Sequence, residues 1–252
     1  MERAAYEEMH ALEDHHWWFR GKRRMVAPLL EQALGGGEGK VLLDVGCGTG
    51  GNLAFVERRF PGLATCGLDV DAGALRYCRE RGPHARLIQG EGGRLPFGDT
   101  SLSCVLALDV IEHVDDDRAL LAEFRRVLEP GGVLVASVPA YPSLWSEHDE
   151  ALHHKRRYKH GELQRLLVEA GFVVERSQGF NFLLLPPIAL VRWWSSRRPR
   201  RVHRGDEPGT DFFELPRPLN ALLTGLFAVE EWITRVVRVP FGVSLMVRAQ
   251  RG

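Results

Sequence analysis

The chain has 252 residues, enough to bury a sizeable core as one elaborated domain or two small ones, and its 44% apolar and 26% charged residues are ordinary for a soluble protein. Lys plus Arg and Asp plus Glu balance at 33 each, which excludes a global field that recruits nucleic acid. The acidic, polar and aromatic N-terminus is no signal peptide, and no stretch offers the ~20 uninterrupted apolar residues of a membrane span, so the expected location is cytoplasmic.

Residues 6–34 read as helix in two pieces hinged near Gly21. The patch His15, His16, Trp17, Trp18, Phe19, Arg20 is too aromatic for an ordinary exposed face, so it either packs on the domain or covers a ligand. After a glycine joint at 35–39 comes the stretch that organises the chain, VLLDVGCGTGGN at 41–52. Its apolar start suits a buried strand, and its glycines suit a tight turn that brings backbone close to a ligand. A helix opening near Asn52 would turn its free N–H groups toward the same place. Gly46, Gly48 and Gly51 also satisfy G-x-G-x-x-G with Asp69 downstream, so taken alone the motif does not separate a dinucleotide fold from its relatives.

Strand and helix patterns then alternate, which predicts a parallel sheet with helices on both faces. Helix 53–60 ends at Pro61-Gly62, strand 65–69 ends in an acid, and helix 72–80 leads to strand 86–89 and GEGGRLPF. Strand 103–108 runs into DVIEHV. Asp115 to Asp117 offer N-caps to helix 118–128, which Glu129-Pro130-Gly131-Gly132 ends before strand 133–138. Right-handed crossovers place the strand C-termini, and with them the glycine turn, on one edge of the sheet. A long polar and aromatic loop (139–160), helix 162–170, strand 172–176 and the closing strand GVSLMVRAQ complete the pattern. Between the last two strands lies an insertion: an apolar segment broken by Pro186 and Pro187, Trp193 and Trp194, six arginines within 192–204, and a helical stripe over 219–237. Cys47, Cys66, Cys78 and Cys104 lack C-x-x-C spacing, so neither a zinc site nor a disulfide frame is read from them, and no metal ligands are assigned.

VLLDVGCGTG, GLDVD, GEGGRLPF, LDVIEHV and RRVLEPGG, in that order, resemble the motif series of the class I S-adenosylmethionine (SAM) dependent methyltransferases, in particular the group of quinone and small-molecule methyltransferases. The resemblance covers about 41–179. It implies a Rossmann-like, doubly wound, seven-stranded sheet, mostly parallel with the last strand antiparallel. The whole chain is then one α/β domain: an N-terminal helical lid (1–34), a SAM-binding core (35–178), a helical insertion (179–240) and the last strand (241–252). It also implies SAM as cofactor. Gly46, Gly48 and Gly50, with Cys47, would cradle its methionine and ribose, Asp44 would orient the loop and meet the amino end, and Asp69, next to Val70, would take both ribose hydroxyls. Glu91 and Gly92 stand where the family usually has Asp and Ala at the adenine, and Asp109 and Val110 would face the methionine moiety. Glu112 and His113 would brace the loop.

Methyl transfer from a sulfonium depends on alignment and desolvation, with a base needed where the nucleophile carries a proton. His148 is the first candidate base, Asp149 its orienting partner or that of another histidine, and His154 an alternative. Arg156, Arg157 and Tyr158 are candidates for an anionic acceptor group; Trp18 and Tyr141 complete the expected acceptor wall. The insertion over 182–204 reads either as an interfacial element of apolar anchor, aromatic belt and basic collar, contacting the inner face of the membrane, or as a lid or homodimer face. The expected reaction is methyl transfer to oxygen or carbon of a small amphipathic or lipid-linked acceptor. The competing readings are a nicotinamide reductase and a non-catalytic SAM-fold module that docks to a membrane or a protein.

Overall fold

The computed structural model describes residues 3–82, 84–196 and 214–252. Seven strands form one sheet in the order β3-β2-β1-β4-β5-β7-β6: β1 Val41–Val45, β2 Ala64–Asp69, β3 Arg86–Gln89, β4 Leu102–Leu108, β5 Leu128–Pro139, β6 Phe172–Phe180 and β7 Ser244–Arg251. The first five pair in parallel, and β7 runs antiparallel to both neighbours, as the sequence predicts. Central strands such as Leu42, Leu43, Val105 and Leu106 are fully buried, because helices cover both faces of a parallel sheet.

One face is closed by α5 (Asp117–Val127) and α7 (His160–Glu169), whose Leu120, Leu121, Phe124, Leu163 and Leu167 pack on Val105, Leu134 and Val247. Asp116 caps α5 through its side chain and the N–H of Ala119. The other face is closed by α2 (Trp17–Leu34), α3 (Gly51–Arg59) and α9 (Arg217–Val236); Met25, Leu29, Leu30 and Phe227 meet Leu42, Leu106 and Val135 there. Thus α2 is a full layer of the core, and the shorter α1 (Arg3–Leu12) sits against α4 (Ala72–Arg81).

The predicted hinge at Gly21 is replaced by a break at residues 13–16, where His16 caps α2. Gly21 lies inside α2 because its missing side chain makes room for the Phe227 ring, on which any Cβ would collide. Pro186 and Pro187 do not break the insertion either. They lie in the first turn of α8 (Leu185–Ser196), where a missing N–H leaves no helical bond unmade. The loop after β5 contains a short helix, α6 (Glu147–Ala151), stapled by the Ser146 N–H donating to Asp149 Oδ2 at 2.8 Å. Arginines 197, 198, 200, 201 and 204 of the basic collar lie outside the described residues. The four cysteines are buried and free.

Candidate functional site

A cavity of about 860 Å³ opens where β1, β2 and β4 end. The turn after β1 supplies one end of it. Gly46 has φ +67°, and a Cβ there would meet Val110 Cγ2 at 2.8 Å, so only glycine keeps both the turn and the neighbouring loop. Gly50, at φ +85°, is the left-handed residue that launches α3; a Cβ there would meet Cys78 Sγ at 2.5 Å. Gly46, Cys47 and Gly48 line the cavity, whereas Gly50 stands behind it. Asp44 also lies behind the turn, 1% exposed, with Oδ2 lacking a hydrogen-bond partner, and burial pushes its carboxyl well above the usual range.

Asp69 and Val70 reach the same cavity from the end of β2. The Asp69 carboxylate accepts the N–H of Gly48 at 2.9 Å and that of Asp71 at 2.9 Å, and burial raises its pKa against those bonds. Glu91 and Gly92 form the floor after β3, and Asp109 and Val110 the wall after β4. Asp109 accepts Ser137 Oγ at 2.6 Å and pairs with Lys22 of α2. Burial alone would raise its carboxyl, but Lys22 and Ser137 outweigh that and hold it below the ordinary value.

The same cavity is lined by a histidine and carboxylate cluster. His148, His113, His154 and Glu112 line it, with Trp17 and Trp18 at the rim. Trp18 stacks on Phe180 with centroids 5.8 Å apart and lies 5.4 Å from Lys22 Nζ. His148 is half-buried, its ring 6.3 Å from that of His154. Asp149 serves His154, whose Nδ1 is 2.8 Å from Asp149 Oδ1. The same carboxylate takes the Arg157 guanidinium in a fork, Nε at 2.8 Å and Nη2 at 2.9 Å. Burial would raise the Asp149 carboxyl, but the His154 and Arg157 hydrogen bonds hold it far below the carboxylate range.

Internal contacts redirect four expected acceptor residues. Arg157 spends its fork on Asp149 and its Nη1 on the Ala140 carbonyl at 2.9 Å, so it reaches the cavity as a braced wall. Arg156 and Tyr158 lie outside the cavity, both bonded to Asp117, at 3.0 and 2.9 Å. Tyr141 is also off the cavity and donates its N–H to the Tyr158 carbonyl. A sequence shows the arginine fork but not the internal carboxylate that claims it.

Two residues absent from the sequence reading shape the site. Glu13, 4% exposed, accepts from Thr49 Oγ1 and, at 3.2 Å, from the N–H of Gly51, the first residue of α3. A carboxylate there complements the helix N-terminus, and Arg81 braces it from 3.2 Å. Lys22 is the other, a buried cation beside Asp109. The N-terminal segment thus completes the back of the glycine turn, which no local motif in residues 1–34 announces.

A family model described as a methyltransferase domain matches residues 43–136, from β1 to β5. A probable S-adenosylmethionine-dependent methyltransferase of Mycolicibacterium smegmatis is 33% identical over 173 residues, 67% of this chain and 64% of the relative. A fatty-acid O-methyltransferase of the same species is 31% identical over 147 residues, 58% of this chain and 48% of the relative. The chain therefore spans less than two thirds of the length of either. Geranyl diphosphate methyltransferase, solved with SAM, superposes with a TM-score of 0.58 over 91% of this chain and 85% of its own, at 19% identity, a likeness of fold. SAM fits the donors present: a glycine turn too close-packed for side chains, an orphaned carboxylate oxygen on Asp44, and the Asp69 carboxylate at the end of β2. Motif order, sheet topology and relatives agree, and the chain belongs to the class I SAM-dependent methyltransferases.

Proposed function

We propose that this protein transfers the methyl group of SAM to an oxygen or carbon of a small amphipathic or lipid-linked acceptor. The observation that carries the reading is that one cavity is lined by the glycine turn and Asp69 together with Trp17, Trp18 and the histidine cluster. Bound SAM would supply an electrophilic sulfonium methyl. The chain's own part is to align and dry the reactants, which in-line displacement chiefly requires.

On this reading Asp69 takes the ribose hydroxyls, since a carboxylate offers acceptor geometry for two such bonds. Asp44 meets the amino end through the backbone of the turn, Glu91 and Gly92 bound the adenine, and Asp109 and Val110 face the methionine moiety. Lys22 adds a cation suited to the cofactor's carboxylate. His148, half-buried on the wall, is the group that takes a proton from a protonated acceptor, and the braced His154 fixes the floor beneath it. Helix α1, through Tyr6 and Met9, closes the cofactor end.

The insertion supports this acceptor class. Ile188 and Arg192 of α8 line the cavity, while Leu190, Trp193 and Trp194 of the same helix are exposed. Leu222 and Trp232 of α9 are 62% and 67% exposed. Such an apolar and aromatic surface beside a cavity mouth suits extraction of an acceptor from a lipid surface. The curated relative acting on fatty acids supports an apolar acceptor.

The test is incubation with methyl-labelled SAM and amphipathic hydroxyl, carboxyl and quinol acceptors, followed by mass analysis of extracted products. Labelled product is expected. Calorimetric SAM binding with no transfer to any extractable lipid would favour the non-catalytic docking module, and absence of SAM binding would overturn the reading.

A further inference from the structure

Glu112, His113 and His154 offer one ligand atom each within 4.8 Å of one another, and all three line the cavity. The loop after β4 brings the first two, and the loop after α6 brings the third. Glu112 is fully buried, and both its carboxylate oxygens lack a hydrogen-bond partner. His154 Nε2 is likewise buried without a partner, 3.9 Å from Glu112 Oε1. Unsatisfied buried polar atoms are costly, and here they converge on one point.

The surroundings are those of a ligand set and not of a salt bridge. The cations nearest Glu112 are spent elsewhere: Lys22 pairs with Asp109, Arg157 forks onto Asp149, and Lys155 pairs with Asp115. The His154 imidazole is braced through its other nitrogen, Nδ1, by Asp149 at 2.8 Å. This is how metal-bound histidines are fixed in tautomer and orientation. Two ligand atoms each about 2.0–2.2 Å from one tetrahedral zinc ion stand about 3.3–3.6 Å apart, so the 3.9 Å gap lies within about 0.6 Å of a shared ion. The widest separation, at most 4.8 Å, must shrink by at most about 1.5 Å, within the reach of side-chain rotations.

We propose that Glu112, His113 and His154 bind a borderline divalent ion, of the zinc, cobalt or iron(II) type, with Asp149 and Arg157 as its supporting shell. Two imidazoles and one carboxylate select such ions over magnesium or calcium, which prefer oxygen donors. Because the three residues line the cavity, an acceptor hydroxyl that entered it could bind the ion and would then lose its proton more readily. The site stands on its own geometry and not on the methyl-transfer reading.

Purified protein stripped with a chelator is titrated with Co²⁺ and Zn²⁺, followed by visible absorption and calorimetry. One equivalent of Co²⁺ is expected, with absorption of a four- or five-coordinate ion that Zn²⁺ displaces. The near-isosteric Glu112→Gln and the truncating His154→Ala should each weaken binding by at least about 10-fold, the lower bound for a lost ligand or supporting contact. SAM titration of the same samples checks folding independently, and Glu112→Gln decides if His154→Ala does not fold. No stoichiometric binding, or binding unmoved by Glu112→Gln, would overturn the proposal.

Discussion

Asp149 Oδ1 lies 2.8 Å from His154 Nδ1, while the same carboxylate holds the Arg157 guanidinium in a fork, all three side chains being 5% exposed or less. The arrangement fixes the His154 ring and neutralises a buried charge in one stroke. Asp149→Asn should therefore cost about 3–5 kcal/mol of stability, because it leaves the Arg157 charge buried without its partner. Urea unfolding measures it. The sign with pH follows from the depressed Asp149 carboxyl. Its contribution is present above the unfolded carboxylate value of about 3.9 and is lost as the pH falls toward the folded value, so wild type and Asp149→Asn should converge in strong acid.

Asp69→Ala should weaken SAM binding at least about 10-fold, equivalent to about 1.4 kcal/mol, and should also cost the cofactor-free protein about 1–3 kcal/mol, since the Gly48 and Asp71 N–H groups lose their acceptor. Because burial raises the Asp69 carboxyl, wild-type affinity should also fall as the pH drops through that raised value, a dependence Asp69→Asn would lack. Calorimetric titration across pH reads both. Unchanged affinity in Asp69→Ala would remove the ribose assignment.

Asp44→Asn should separate stability from binding. A carboxyl raised well above its usual range costs stability as the pH rises from about 3.9 toward its folded value, since the folded state holds the proton longer. Removing it should raise the melting temperature of the cofactor-free protein at neutral pH while lowering SAM affinity. Thermal melts with and without SAM give both quantities, and a variant less stable than wild type at neutral pH would contradict the burial argument.

The strand-end part of the cavity was legible: the glycine turn after β1, Asp69 closing β2 and Asp109 after β4 lie where right-handed crossovers must place them. The rest of the site is assembled across the chain. Glu112 meets His154 only after β5 and α6 have turned the chain back, and Glu13 meets Thr49 only once α1 has docked on α4. Arg157 misled for the same reason, since its fork was visible and Asp149's claim on it was not. Gly21 is the mirror case: a glycine that reads as a hinge is a notch for Phe227, and Gly21→Ala should cost about 1–3 kcal/mol by overpacking. Denaturant midpoints compare it with wild type.

The insertion supplies the final prediction. Leu222 and Trp232 are exposed on α9, whose opposite side holds Phe227 and Glu230 in the core, with Glu230 accepting the N–H groups of Asn181 at 2.6 Å and Leu183 at 2.7 Å. That inner face ties the insertion to the end of β6, so the outer face is presented on an anchored helix. Replacing Leu222 and Trp232 by serine should leave unfolding within about 0.5 kcal/mol, as for surface positions that carry no special contact. The same change should reduce flotation with anionic vesicles several-fold and slow methylation of vesicle-borne acceptors, while sparing water-dispersed ones. Equal flotation of wild type and variant would show that this face does not meet lipid, and a shift from dimer to monomer on sedimentation would assign it to self-association instead.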